Sequence, residues 1–367
     1  MFSGMVEEAP ILPRKGRGAI RNESGRYEKF TRIAVSDGWD RLPEDEFPDE
    51  NRPRTEIRTD NSRSIVSHNQ SPDIPFSSSI NPYKGCEHGC IYCFARPTHA
   101  YLGLSPGLDF ETKIFAKPDA AALLDKTFRS RNYKPTVIAM GANTDPYQPA
   151  ERSLRITRAV LEVLERFGHP VGIVTKSALV TRDIDILARL AKRRLVAVSL
   201  SVTTLDRDLA RVMEPRASTP PLRLEAIRKL SEAGIPTGVM AAPMIPALND
   251  HELEAILEGA SAAGATSAGY VLLRLPLEIK DLFADWLEAH RPDRAKHVLS
   301  LVRDTRGGAL YTAEFGKRMR GDGPYAQLIA QRFRAAVARL GLNRDRWALD
   351  LSQFKVPPPE TGQLSLF

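Results

Sequence analysis

Cys86, Cys90 and Cys93 are the only cysteines in this 367-residue chain, and all three fall in the run Gly-Cys-Glu-His-Gly-Cys-Ile-Tyr-Cys-Phe. The spacing is C-x3-C-x2-C, with Tyr92 inside the second gap. Thiolates favour soft metals and iron–sulfur clusters, and an ordinary cubane takes four cysteine ligands. Three cysteines hold three irons and leave the fourth open to a small molecule, much as a catalytic zinc keeps one position open. The competing reading is structural zinc with His88 or His99 as fourth ligand. Zinc sites usually join two cysteine knuckles, and no second pair exists here. Gly85 and Gly89 suit a loop that wraps closely around its contents, because glycine reaches positive φ freely. An odd, clustered cysteine count is no disulfide framework; it predicts a reducing compartment, hence a cytoplasmic protein.

A site of this kind needs a scaffold, and the pattern after residue 75 supplies one. Apolar runs at Thr136–Gly141, Val171–Thr175, Leu195–Val202, Thr237–Ile245 and Tyr270–Leu275 predict buried strands. Between them lie helical periods: Leu154, Leu161, Leu164 and Phe167; then Ile184, Leu187 and Leu190; then Leu222 to Ala233; then Leu253, Ile256 and Leu257. A further helix is expected around Leu282, Phe283 and Leu287, and a first strand near Ser79–Asn81. Strands alternating with helices imply parallel pairing through right-handed crossovers. Six such units predict an α/β chain built as a partial (βα)6 barrel, with the chemistry at the C-terminal ends of the strands. A doubly wound sheet fits the periodicity nearly as well; the cysteine loop after the first strand decides for the barrel. The expected organisation is a polar N-terminal extension over 1–70, the core barrel over 71–290, a basic helical appendage over 291–346 and a tail over 347–367.

The cysteine run resembles the signature of the radical S-adenosylmethionine (SAM) superfamily, and the similarity extends over roughly 79–290. The resemblance implies a three-cysteine 4Fe-4S cluster that reductively cleaves SAM to a 5′-deoxyadenosyl radical, which removes hydrogen from a substrate. Several further residues match superfamily positions. Tyr92 is expected beside the adenine of SAM, and Asn143, Thr144 and Asp145 near its methionine amino group. Lys176 is a candidate for the SAM carboxylate, and Ser199 and Ser201, on one face of a strand, for hydrogen bonds to SAM. Met244 lies in the segment Ala242–Ile245 expected to pack by adenine. A polar turn and a lysine at a strand end are also common on any α/β surface. The nearest likeness is to the branch containing spore photoproduct lyase. That lyase carries a hydrogen-donating cysteine where this chain has Ala142, and a tyrosine where this chain has Phe94, so the resemblance implies a different substrate or termination step. No catalytic side chain is assigned, and an electron donor such as flavodoxin or ferredoxin is implied as a partner.

Lys and Arg total 52 against 45 Asp and Glu, a net charge of +7, and hydrophobic residues make up 42%, ample for a core. No apolar stretch approaches the ~18 residues of a membrane span. Residues 291–346 carry thirteen Lys/Arg against five Asp/Glu. Scattered arginines usually coat a solvated helix, yet a basic face also attracts nucleic acid. The chain ends after a Pro-Pro-Pro spacer in Gln363, Leu364, Ser365, Leu366 and Phe367, which resembles the peptide that docks bacterial repair proteins on the DNA sliding clamp. The expected function is a radical SAM enzyme acting on nucleic acid in repair or modification. A peptide or small metabolite is the alternative substrate, and a zinc-stabilised, non-catalytic DNA or clamp adaptor the alternative class.

Overall fold

The structure, a computed structural model, describes residues 13–31, 53–345 and 347–358. The clamp-like peptide Gln363–Phe367 lies outside the described residues. In chain order the strands are β1 (Glu56–Thr59), β2 (Val66–His68), β3 (Ser78–Ile80), β4 (Tyr83–Lys84), β5 (Lys113–Ala116), β6 (Ile138–Met140), β7 (Val171–Thr175), β8 (Val196–Ser201), β9 (Thr237–Met244) and β10 (Ser267–Leu272). The helices are α1 (Leu108–Thr112), α2 (Ala120–Phe128), α3 (Glu151–Leu154), α4 (Ile156–Phe167), α5 (Ile184–Lys192), α6 (Arg207–Met213), α7 (Pro220–Glu232), α8 (Leu253–Ala262), α9 (Ile279–His290), α10 (Pro292–Asp304) and α11 (Gly323–Leu340).

Seven strands form one sheet in the order β10-β9-β8-β7-β6-β3-β2. The six from β3 to β10 are mutually parallel, and β2 joins the edge antiparallel to β3. Their order follows the sequence without reversal, so no topological switch point exists and the doubly wound alternative is excluded. The predicted (βα)6 partial barrel is the fold. The outward side chains of the strands and the inner faces of α2, α4, α5, α7 and α8 share one core that includes Val160, Leu164, Leu187, Val198, Ile227 and Leu257.

The helix expected from Leu154 to Phe167 begins later. Arg155 takes φ 52°, which breaks the chain between α3 and α4 and leaves Leu154 exposed. The buried Glu151 carboxylate then accepts the Thr157 N–H at 3.0 Å and starts α4. The first 70 residues contribute more order than their polarity suggests. β1 pairs parallel with β5, which pairs antiparallel with β4, and this small sheet abuts the start of the cysteine loop. Arg17, Ala19 and Ile20 are buried against the same loop. A Cβ on Gly18 would lie 1.9 Å from the carbonyl oxygen of Gly89, so the N-terminal segment runs backbone to backbone across the cysteines.

The barrel does not close: β10 is an edge strand. The carboxamide of Asn343, just past α11, accepts from Ala268 N–H at 2.8 Å and donates to Ala268 C=O at 2.9 Å, occupying that edge as a strand would. Much of the basic appendage is neutralised by the fold itself. Arg332 pairs with Glu254 at 2.6 Å and Arg339 with Glu258 at 2.5 Å, fastening α11 to α8. Among the described residues no helix is long and apolar enough to cross a membrane.

Candidate active site

Every element that ends near the top of the barrel points its last residues into one cavity of about 240 Å³. The cysteine loop follows β3; Gly141, Asn143 and Asp145 follow β6; Lys176 follows β7; Ser201 ends β8; Ala242 and Pro243 lie in β9; Arg274 follows β10. All are C-terminal strand ends, where a (βα) barrel carries its chemistry.

The cysteine loop is shaped by a buried guanidinium. Arg96 is fully buried, and its five N–H donors all find acceptors. Nε donates to Cys90 O at 2.9 Å; Nη1 donates to Pro106 O and Gly107 O at 3.1 and 2.9 Å. Nη2 donates to Gly89 O at 3.1 Å and to Glu111 Oε1 at 2.5 Å. Glu111 in turn accepts the N–H groups of Gly18 and Ala19, tying the N-terminal segment into the same network. Gly89 takes φ +67°, and a Cβ there would lie 2.7 Å from Glu111 Oε2; Gly85 takes φ +79°. Both glycines thus have the left-handed backbone the loop required.

Cys86, Cys90 and Cys93 line the cavity as free thiols. Burial pushes all three thiols up, Cys90 to about 12, so the protein alone holds them protonated. Soft-metal binding takes the thiolate and releases the proton. Among the described residues no three His, Cys, Asp or Glu side chains already converge as a single-ion cage. His99, a suggested zinc ligand, lies off the cavity with Nε2 3.0 Å from Lys113 O, and burial lowers its pKa to about 4. His88 lines the cavity and faces Asp145, with Nδ1 3.4 Å from Oδ2. Three thiols around an open space suit a multi-iron group with one free corner.

The Tyr92 ring lines the cavity floor, and its hydroxyl donates to Glu214 and lies 3.1 Å from Thr203 Oγ1. Glu214 also accepts from Arg223, and both are buried. Burial alone would raise the Glu214 carboxyl. The charges of Arg223 and Lys176, with hydrogen bonds from Arg223 and Thr203, outweigh it and hold the group at about 2. A buried ion pair therefore anchors the tyrosine. Lys176 Nζ donates to Ser201 Oγ at 2.8 Å and stands 5.6 Å from the Tyr92 ring centroid.

Asp145 is the hinge between two strand ends. Oδ1 accepts from Thr175 Oγ1 at 2.7 Å and Tyr147 N at 2.9 Å, and Oδ2 accepts from Lys176 N at 2.8 Å. Burial would raise this carboxyl too, but the adjacent His88 and the hydrogen bonds hold it at about 2. Asn143, Asp145, Lys176, Ser201 and Tyr92 are thus brought together with the cysteines. Thr144, Ser199 and Met244 are placed elsewhere. Thr144 is buried and donates to Tyr83 O at 2.7 Å. Ser199 shares the inward face of Ser201 but sits a step deeper, opposite Val174, and does not line the cavity. Met244 is buried in the core shared with the helices, since the register of β9 against β10 shifts between Ala241 and Met244 and leaves Met240, Ala242 and Pro243 at the cavity. Glu111, Glu214, Thr203, Arg223 and Arg274 escaped sequence reasoning. Arg96, three residues after Cys93, was the one with a positional signal.

A family profile described as "Radical SAM superfamily" matches residues 80–260. An uncharacterised protein of Mycobacterium tuberculosis is 33% identical over 290 residues, covering 78% of this chain and 79% of its own. An uncharacterised protein of Methanocaldococcus jannaschii is 28% identical over 174 residues, 47% of this chain and 62% of its own. Among solved structures, spore photoproduct lyase complexed with dinucleoside spore photoproduct superposes with a TM-score of 0.55 at 17% identity, covering 78% of this chain and 80% of that one. At that identity the likeness is one of fold.

Proposed function

Since the chain belongs to the radical SAM superfamily, whose enzymes use a 4Fe-4S cluster and SAM, we propose that Cys86, Cys90 and Cys93 each ligate one iron of the cluster. The observation that carries this is the placement of three free thiols in the same cavity as Tyr92, Asn143, Lys176 and Ser201. When bound, cluster and SAM supply one-electron reductive cleavage of SAM and so the means to remove a hydrogen atom from a substrate C–H bond.

The protein's part is to bind, orient and exclude water. Asn143 presents a carboxamide to the SAM ammonium, while Asp145, its oxygens already engaged, fixes the turn that carries it. Lys176 offers its ammonium to the SAM carboxylate, with Ser201 holding the amine in place. Tyr92 gives adenine a flat apolar wall, locked by Glu214 and Arg223. Thr144, Ser199 and Met244 support this geometry from behind the cavity wall.

The substrate proposed is nucleic acid, in repair or modification. Its support is the likeness of fold to a lyase solved with a dinucleoside lesion. Arg320 and Arg334, on the basic appendage, have no carboxylate partner among the described residues. Phe94 and Ala142 stand where that lyase has its tyrosine and hydrogen-donor cysteine, which separates this chain from spore photoproduct repair. A flavodoxin or ferredoxin is the proposed reductant. The sliding clamp is proposed as a further partner on the sequence of Gln363–Phe367 alone, tested by clamp pull-down with and without those residues.

Anaerobic reconstitution tests the central claim. The expected result is about four irons per chain and 5′-deoxyadenosine under reductant, with product altered by added DNA. A Cys90→Ala protein that still binds that iron and cleaves SAM would overturn the ligand assignment, and one zinc per wild-type chain would favour the adaptor.

A further inference from the structure

The cavity has a second half that the cluster and SAM contacts leave unexplained. Arg274, two residues past β10, lines its mouth beside Phe94 and Met319. Its guanidinium stands 5.1 Å from the centroid of the Phe94 ring, and Nη1 lies 3.4 Å from Met319 Sδ. Its Nε is buried without a hydrogen-bond partner. Next to it, Arg306 is buried, with Nη1 donating to Lys317 O and Nη2 to Leu273 O, each at 2.7 Å, while its Nε has no partner. Among the described residues neither arginine has a carboxylate within ion-pair distance. Asp73, whose carboxylate feels the charge of Arg274, is already held by Arg318 and by Gly316 N–H.

Two adjacent guanidiniums, one of them buried, with no acid between them are costly in a low-dielectric setting unless an anion completes the group. Burial and the neighbouring Arg274 lower the pKa of Arg306 to about 10, in keeping with that missing partner. The Phe94 ring, 44% exposed and directly after Cys93, offers a flat apolar face at the same mouth. Anion and plane together describe a nucleotide better than an aliphatic carboxylate. Arg320, adjacent in sequence to Met319, and Arg334 continue the unpaired positive charge outward along a second surface hollow.

We propose that Arg274, backed by Arg306, and the Phe94 ring form the substrate subsite, Arg274 binding a backbone phosphate and Phe94 stacking the base beside it. The identity of the occupant rests on the nucleic-acid reading above; the anion subsite itself does not. Phe94 thereby sets the base next to the cluster loop, in a position to present its C–H bonds to the reacting end of SAM.

The test uses the reconstituted full chain and three probes: a single-stranded DNA ten-mer, its uncharged methylphosphonate counterpart, and inorganic pyrophosphate. Losing one charge-assisted contact should weaken DNA binding by Arg274→Met about tenfold or more. It should also flatten the salt dependence by about 0.7 in log–log slope. Arg274→Lys should recover part of both. The wild type should bind the methylphosphonate far more weakly than DNA. Equal binding of the two, or DNA binding indifferent to Arg274, would overturn the subsite. So would a parallel loss of SAM affinity in Arg274→Met, because Arg274 would then serve SAM. A wild type that ignores DNA yet binds pyrophosphate through Arg274 would sink the nucleic-acid reading and leave the anion subsite standing.

Discussion

Replacing Arg96 with lysine keeps the charge and removes the fork, which isolates what geometry does for the cysteine loop. All five guanidinium donors are used, on the carbonyls of Gly89, Cys90, Pro106 and Gly107 and on Glu111. A lysine ammonium has three donors on one atom, so at least two of these acceptors lose their partner. A buried polar group left unsatisfied costs about 1–3 kcal/mol. Arg96→Lys should therefore lower stability by roughly 2–6 kcal/mol, a large share of the ~5–15 kcal/mol typical of a folded chain. Arg96→Met goes further, because it strands the buried Glu111 carboxylate, and broken buried pairs cost about 3–5 kcal/mol. The assay is guanidinium unfolding of the metal-free protein, together with iron and sulfide analysis after anaerobic reconstitution. Arg96→Lys should unfold earlier and take up less iron. If its midpoint and iron content matched the wild type, the guanidinium fork would not be what shapes the loop.

Other consequences can be measured in the same preparations. Gly141 takes φ +88°, and a Cβ there would lie 2.0 Å from Val174 O, so Gly141→Ala must push β6 from β7; a loss of about 2–4 kcal/mol is expected in unfolding, with weakened SAM binding by calorimetry. Arg332 is neutralised by Glu254, while among the described residues Arg334 has no such partner; Arg334→Ala should flatten the salt dependence of DNA binding by about 0.7 and Arg332→Ala should leave it unchanged, and equal effects would refute the distinction. Buried His169, stacked 4.5 Å from Phe128, is held neutral by burial with a pKa of about 4. The unfolded chain takes up that proton near pH ~6.5. Its contribution is thus complete above that pH and is lost as pH falls toward 4, for about 3 kcal/mol in all. His169→Phe should be less acid-sensitive than wild type in urea unfolding at pH 7.5 and 5, and identical slopes would rule the histidine out.

The barrel was legible because Val171–Thr175 and Leu195–Val202 are apolar runs with abrupt ends, and the helices between them keep their period. β1 was invisible for the opposite reason. Apart from Ile57, its residues Glu56–Thr59 are polar, and they are largely exposed; it exists because its backbone pairs with β5. The cysteines could be found by spacing, since a cluster loop is local. Glu214 and Arg223 could not, because an isolated charge in a helical stretch reads as surface until the fold buries it against its partner. Met244 misled because the register of β9 shifts between Ala241 and Met244, which breaks the alternation that would have kept Met244 on the face of Met240 and Ala242. In the basic segment over 291–346 the charge count hid its use, because Arg332 and Arg339 are spent on holding α11 in place.

The unclosed barrel gives Asn343 a task apart from catalysis. A parallel sheet that stops at β10 would present a row of free N–H and C=O groups, an open template for any extended chain, including another copy. The Asn343 side chain fills the positions at Ala268, its own N–H bonds Thr266 O at 2.9 Å, and Met319 O takes the Leu272 N–H at 2.9 Å. Asn343 and Met319 thus cover part of that edge, and the expected consequence is protection against self-association. Asn343→Ala removes both side-chain bonds at once, and the protein should then aggregate through β10 at concentrations where the wild type stays dispersed in light scattering.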